Sequence, residues 1–116
     1  ADGVSVASGV AAWAAHRKAP ELALGARSGS IGLVVGATVR DAAITLGVDL
    51  EAVGGPLLVP GLGAQGGTAA DVRAVVGSAW SRSLPTTSRG VLGAGPDAAA
   101  LIAAAQQARR EIQEQE

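Results

Sequence analysis

Apolar positions recur along this chain in two alternating periods, one helical and one suited to buried strands. In VSVASGVAAWAAH, residues 4–16, Val6, Val10, Trp13 and Ala14 share one helical face, which predicts a first helix. Arg17–Gly29 carries Pro20, Gly25 and Gly29 and reads as a loop, with a short helical piece over Glu21–Ala26. Ile31–Gly36 is a short apolar run bounded by Ser and Gly, the pattern of a strand buried on both faces. VRDAAITLG predicts a helix that stops at Gly47, and Pro56–Val59 a second buried strand. A glycine-rich loop follows, and Thr68-Ala69-Ala70-Asp71 has the form of a helix start in which the Thr hydroxyl accepts an orphan amide. Ser83–Thr87 falls where a third strand belongs, although Pro85 cannot donate to a ladder. After the Gly95-Pro96 break, Asp97 caps a last helix. Its buried face is Leu101, Ala104, Ala105, Ala108 and Ile112, and Arg109-Arg110-Glu111 face outward. Strands alternating with helices across short connections predict parallel βα units, about three strands and four helices in all.

A parallel sheet that small leaves an edge open on each side. Composition strengthens the point. Hydrophobic residues make up 48% of the 116 residues, yet Phe, Tyr, Met and Cys are absent and Trp13 and Trp80 are the only aromatics. A core of Ala, Val, Leu and Gly buries little area per residue, a handicap in a short chain. The expectation is a chain that completes its core against further structure; the lack of Met even at position 1 points the same way. A net charge of −1 offers no basic stripe for nucleic acid. Without Cys there is no disulfide or thiolate-bound metal. The N-terminus lacks the basic start of a signal peptide, and no apolar run reaches the ~18 residues of a membrane span. A soluble, cytoplasmic protein with no membrane or nucleic-acid partner is expected.

The glycine loop contains Gly61-Leu62-Gly63-Ala64-Gln65-Gly66, the spelling of a dinucleotide-binding fingerprint. That fingerprint expects an acidic residue about 20 positions on to hold a ribose hydroxyl, but Val72–Pro96 contains no carboxylate. Gly67 and Thr68 also intervene before the helix. A Walker A loop fails for want of a Lys after the glycines. A simpler phosphate site fits better: glycines admit an anion to backbone amides, and the next helix start adds positive charge. Gln65 supplies a side-chain amide, and Arg89, 24 residues later, a planar fork. In (β/α)8 barrels the phosphate often sits between the loops after strands seven and eight. The competing structural reading makes Gly61–Gly67 a tight turn and Arg89 a surface cation.

VPGLGAQGG followed by LPTTSRGVLGAGPD closely resembles the C-terminal part of orotidine 5′-phosphate decarboxylase, in the form common in actinobacteria. GSIGLVVGATV resembles that family's sixth barrel strand, PLLVPGLGAQGG the seventh with its phosphate loop, and SLPTTSRGVL the eighth with its short phosphate-binding helix. ADGVSVASGVAAW resembles the helix after the fifth. The resemblance implies an α/β fold in which residues 1–116 form the C-terminal portion, about strands six to eight with their helices, of a single (β/α)8 TIM-barrel domain. It implies conversion of orotidine 5′-monophosphate to UMP and carbon dioxide without metal or organic cofactor, in a homodimer. Gln65 would close over the phosphate and Arg89 would bind it. Amides around Gly66 and Ser88–Arg89 would donate to it, with Gly63 in the same loop, and Pro60 and Leu62 would line the wall beside the nucleotide. The family's chemistry rests on an Asp-x-Lys-x-x-Asp motif. The one lysine here, Lys18 in HRKAPE, has no such context. The N-terminal half of the barrel is therefore the expected partner, and no catalytic residue is expected in this chain. Other expectations left open are a different phosphate-binding barrel, such as a sugar-phosphate lyase or isomerase, and a small non-catalytic nucleotide-binding module.

The remaining polar residues carry plainer expectations. His16 beside Arg17-Lys18 reads as a solvated cation at a helix end. Asp41, Asp49 and Glu51 have no metal-like partners, and the two tryptophans read as packing residues.

Overall fold

The computed structural model describes residues 3–39 and 41–115. Three parallel strands, β1 (Leu33–Val34), β2 (Leu57–Pro60) and β3 (Ser83–Thr86), form one sheet in the order β1-β2-β3. Helices α1 (Val6–Ala23), α2 (Ala42–Thr45), α3 (Leu50–Val53), α4 (Ala69–Val76), α5 (Arg89–Leu92) and α6 (Ala98–Gln113) surround it, and a 3₁₀ turn over Gly77–Arg82 leads into β3. The βα alternation read from the sequence is present. β1 is formally short, but its ladder runs on: the amides of Leu33, Val35 and Ala37 donate to the carbonyls of Pro56, Leu58 and Pro60 at 3.0, 2.9 and 2.8 Å.

The sheet is covered on one face only. Leu57 and Val59 are fully buried against Val53, Val72 and Ala79, and Ile31, Leu33 and Val35 pack on the same cluster. The register sets Val34 beside Leu58 and Leu58 beside Leu84 on the opposite face. There they remain 68%, 40% and 55% exposed. The expectation of strands buried on both faces is thus corrected. A row of apolar side chains on the uncovered face of a parallel sheet is what the interior of an incomplete barrel presents.

Helix α1 departs from the sequence reading in two ways. It continues through Pro20 to Ala23 where a loop was expected. Good helix formers flank the proline, and the Glu21 carboxylate holds Ser30 through its amide and hydroxyl, both at 2.6 Å. His16 is therefore mid-helix rather than at a helix end. The buried face is also the other one. Ala11, Ala14 and Lys18 turn inward, because small residues let α1 approach α3 closely. Val6 is 86% exposed and Trp13 56%, with the Arg17 guanidinium 5.8 Å from the Trp13 ring centroid.

Local signals fare better. Thr68 and Asp71 form a reciprocal capping box on α4, and Asp97 accepts the Ala100 amide at 2.8 Å on α6. The chain after α2 turns at Gly47, φ +66°, as read. The unforeseen α3 is capped by Asp49, which accepts the Ala52 amide at 2.9 Å. On α6, Leu101, Ala104, Ala108 and Ile112 are half-buried as expected, but Ala105 faces out. Trp80 packs at the edge of the core under Arg73, 5.4 Å from its ring centroid. Among the described residues no helix is long and apolar enough to cross a membrane.

Lys18 is 7% exposed, its stem lying along Gly29 and Gly54 at the N-terminal ends of the strands. A side chain at either glycine would collide with it. Desolvation, helped by the nearby Arg82 charge and partly opposed by Asp49, lowers its pKa from the ordinary value near 10.5. Below the folded-state midpoint the folded form carries the full cost of keeping Lys18 charged in its partly desolvated place. Between that midpoint and the ordinary value the unfolded chain holds a proton the folded chain has lost, so stability rises with pH through that window. Lys18 is this chain's one lysine, so an NMR titration of the complete enzyme with the label confined to this segment reads it directly. The midpoint is expected below the value in urea; equal midpoints would refute the burial argument.

The bare row on the sheet generates a second prediction. Residues 1–116 by themselves should bind a hydrophobic dye and unfold over a broad range or self-associate. A sharp, reversible transition from a monodisperse monomer would contradict this.

Candidate phosphate-binding site

β2 and β3 end side by side, with Pro60 paired to Thr86. The chain then leaves the sheet in two adjacent loops, Gly61–Thr68 into α4 and Thr87–Ser88 into α5. The first loop is closed by its own backbone. The Gly63 amide donates to the Gly67 carbonyl at 2.8 Å, Gly66 to Gly63 at 2.7 Å and Gly67 to Gly61 at 3.1 Å. Gly61, Gly63 and Gly66 have φ of 111°, 77° and 86°, a region that disfavours any side chain. A methyl at Gly67 would lie 2.6 Å from the Gly61 carbonyl oxygen. The turn itself therefore accounts for the glycine spacing, and buried Leu62 anchors it in the core.

Two donors expected for an anion are already engaged. The Gly66 amide is taken by Gly63, so in this conformation it cannot donate outward. The start of α4 is closed as well. Asp71 accepts the Thr68 amide at 2.9 Å, Thr68 Oγ1 accepts the Asp71 amide at 3.0 Å, and the Asp71 carboxylate adds negative charge there. These contacts take up the Thr68 and Asp71 amides of this helix start.

The open donors lie between the two loops. A cavity of about 60 Å³ is lined by Pro60, Leu62, Gln65, Ser88 and Arg89, five of the seven residues singled out from the sequence, together with Gly61, Ala64, Thr86 and Thr87. No carboxylate among the described residues lines it. Gly63 borders it through Thr87, whose hydroxyl would be 3.7 Å from a methyl at that glycine. Gly66 lies outside. Gln65 and Arg89 are exposed, and no hydrogen bond or ion pair among the described residues engages either side chain. Ser88 makes no side-chain capping bond, so the first turn of α5 keeps its amides uncapped, unlike α4. One guanidinium, one carboxamide, hydroxyls and backbone amides around an acid-free cavity form a set suited to a small oxyanion. Among the described residues no group of three or more His, Cys, Asp or Glu is placed to hold a metal.

Thr86 and Thr87 are the residues the sequence reading missed as site residues. Both lie within the predicted strand, where they pass for β-branched filler. Their signal was position, at the C-terminal end of a parallel strand beside Ser88-Arg89.

No family model matches the chain. Orotidine 5′-phosphate decarboxylase of Salinispora arenicola is 64% identical over 77 residues, 66% of this chain and 26% of that protein. The protein of the same name from Streptomyces coelicolor is 46% identical over 112 residues, 96% of this chain and 37% of its own length. A crystal structure assigned as orotidine 5′-phosphate decarboxylase, from Streptomyces avermitilis, superposes with a TM-score of 0.79 at 41% identity and covers 96% of this chain and 36% of its own. The chain thus spans between a quarter and two fifths of the length of these relatives, and its three-stranded parallel sheet is a portion of their barrel. Over most of its length the chain is homologous to a segment of the orotidine 5′-phosphate decarboxylases.

Proposed function

We propose that this chain supplies the phosphate-binding part of an orotidine 5′-phosphate decarboxylase, the C-terminal part of its single barrel domain. The complete lyase converts orotidine 5′-monophosphate to UMP and carbon dioxide in pyrimidine biosynthesis. The reading includes a cytoplasmic homodimer and no metal or organic cofactor. The observation that carries it is the acid-free cavity between the β2 and β3 loops, where unpartnered Gln65 and Arg89 converge. The similarity to decarboxylases over 66% to 96% of the chain supports the same reading.

Loss of carbon dioxide leaves a carbanion on the pyrimidine ring that must be stabilised and protonated. The family resemblance assigns that proton to the lysine of an Asp-x-Lys-x-x-Asp motif, which this chain lacks. Lys18 is no substitute, being buried at the opposite end of the strands from Arg89. The role here is remote. Arg89 places its fork on the phosphate, Gln65 closes over it, and Pro60 and Thr86 form the neighbouring wall. Phosphate binding energy then orders the loops and excludes water, which strengthens charge interactions at the reacting carbon.

Residues 1–116 alone are expected to have no decarboxylase activity, and supplying the remaining barrel strands in trans should restore some. Turnover by the isolated chain would overturn the placement of the chemistry elsewhere. In the complete enzyme, Arg89→Ala should weaken UMP at least about tenfold while leaving uridine nearly unchanged. Hydrogen bonds to charged groups contribute about 1.5–3 kcal/mol, and about 1.4 kcal/mol is tenfold. Arg89→Lys should recover part of the loss, a point charge replacing two parallel donors. Gln65→Ala should act in the same direction more weakly. Titration calorimetry with both ligands decides it; equal losses for UMP and uridine would make Arg89 a structural residue.

A further inference from the structure

Where the two loops meet, the contact is made by Thr87. A methyl built on Gly90 would lie 2.7 Å from Thr87 Oγ1 and 3.9 Å from the Ala64 amide nitrogen; one built on Gly63 would lie 3.7 Å from the same hydroxyl. Thr87 therefore sits between the glycine loop and the first turn of α5, and its hydroxyl has room on the α5 side only because Gly90 carries no side chain. It is half-buried, lines the cavity that holds Gln65 and Arg89, and no hydrogen bond among the described residues engages its hydroxyl. A half-buried hydroxyl with no partner among the described residues, beside a guanidinium and a carboxamide, is available to donate to a ligand oxygen. Its position is also fixed. Thr87 directly follows β3, whose last residue pairs with Pro60, and β-branching restricts its χ1.

From this we infer that Thr87 is a further phosphate-binding and positioning residue. Its hydroxyl donates to a phosphate oxygen, and its body keeps the Gly63–Gln65 loop and the Arg89 turn at the separation that lets both reach one anion. The inference rests on the phosphate reading of the cavity. It accounts for the glycine at position 90, where a methyl would lie 2.7 Å from the Thr87 hydroxyl. Any side chain at Gly90 would press on Thr87 and move the loop that carries Gln65.

The test measures UMP, uridine and inorganic phosphate binding to the complete enzyme and to Thr87→Val, Thr87→Ser and Arg89→Ala. Valine keeps the branched shape and removes the donor; serine keeps the donor and removes the methyl. Thr87→Val should weaken UMP and phosphate by about tenfold, the loss of one hydrogen bond to a charged group, with uridine unchanged. Thr87→Ser should bind UMP within about threefold of wild type. A merely structural threonine would instead make Thr87→Val lower uridine and UMP affinity together, which overturns the inference. So would wild-type UMP affinity in Thr87→Val while Arg89→Ala loses UMP selectively; the phosphate reading would then stand without Thr87. If Arg89→Ala and Thr87→Val both leave UMP unaffected, the phosphate reading and this inference fall together. Should Thr87→Val fail to fold, Thr87→Ala and the Thr87→Ser rescue carry the same comparison.

Discussion

The parallel register between β2 and β3 is the constraint on which the rest depends. Pairing Leu57 with Ser83 and Pro60 with Thr86 brings the two strands to an end at the same level. The loops that leave them are then neighbours, and residues separated by more than twenty positions share one cavity. The same register sorts the side chains. Leu57 and Val59 face the helices and vanish into the core, while Leu58 joins Val34 and Leu84 on the uncovered side. At the next step along that side, Pro60 and Thr86 form the wall beside Gln65 and Arg89. One pairing thus produces an apolar floor for the interior of a barrel and a polar rim above it.

The rim divides its polar groups between self-support and ligand. The glycine loop spends its amides on itself, through three internal hydrogen bonds, and α4 is closed by its own acidic cap. The Arg89 turn differs, with no side-chain cap from Ser88 and a guanidinium that no hydrogen bond or ion pair among the described residues engages. A rigid loop beside an unsatisfied one suits anion binding, because the rigid partner holds its shape while the other supplies the charge. On this view the glycines of G-x-G-x-x-G are there for turn geometry, and they resemble a dinucleotide fingerprint because tight turns with positive φ need glycine wherever they occur.

Much of this was legible in the sequence wherever the determining interaction was local. The Thr68–Asp71 box, the Asp97 cap and the stop at Gly47 each involve residues within a few positions of one another. β3 was legible despite Pro85, since an edge strand tolerates a missing donor. Gln65, Ser88 and Arg89 could be paired because one βα unit separates them. What failed were matters settled at long range. The face of α1 was misread because Val6, Val10 and Trp13 looked like a core stripe, whereas α3 accepts only the small Ala11 and Ala14 and the Lys18 stem. Apolar runs read as strands buried on both faces, because nothing in the run reveals that these residues cover only one face. Thr87 was missed because its place beside Gly90 and the glycine loop is a matter of tertiary contact, which no periodicity records.

The two ends of the sheet carry cations in opposite circumstances, and the contrast decides what each can do. Lys18 lies with Arg82 near the N-terminal ends of the strands, its stem enclosed and its proton affinity lowered by burial. Arg89 stands at the C-terminal ends, exposed and unpaired. Between them runs β2, four residues long and so roughly 13 Å at ~3.3 Å per residue. On the proposed reading, a phosphate held by Arg89 lies at the opposite end of the strands from Lys18. The lowered proton affinity of Lys18 could pass for a sign of acid–base chemistry. Its distance from the rim makes it instead a packing residue whose charge is a cost of the site it fills. Perturbation of a titratable group marks function only where a substrate can arrive, and on the proposed reading that is the end where Arg89 and Thr87 stand.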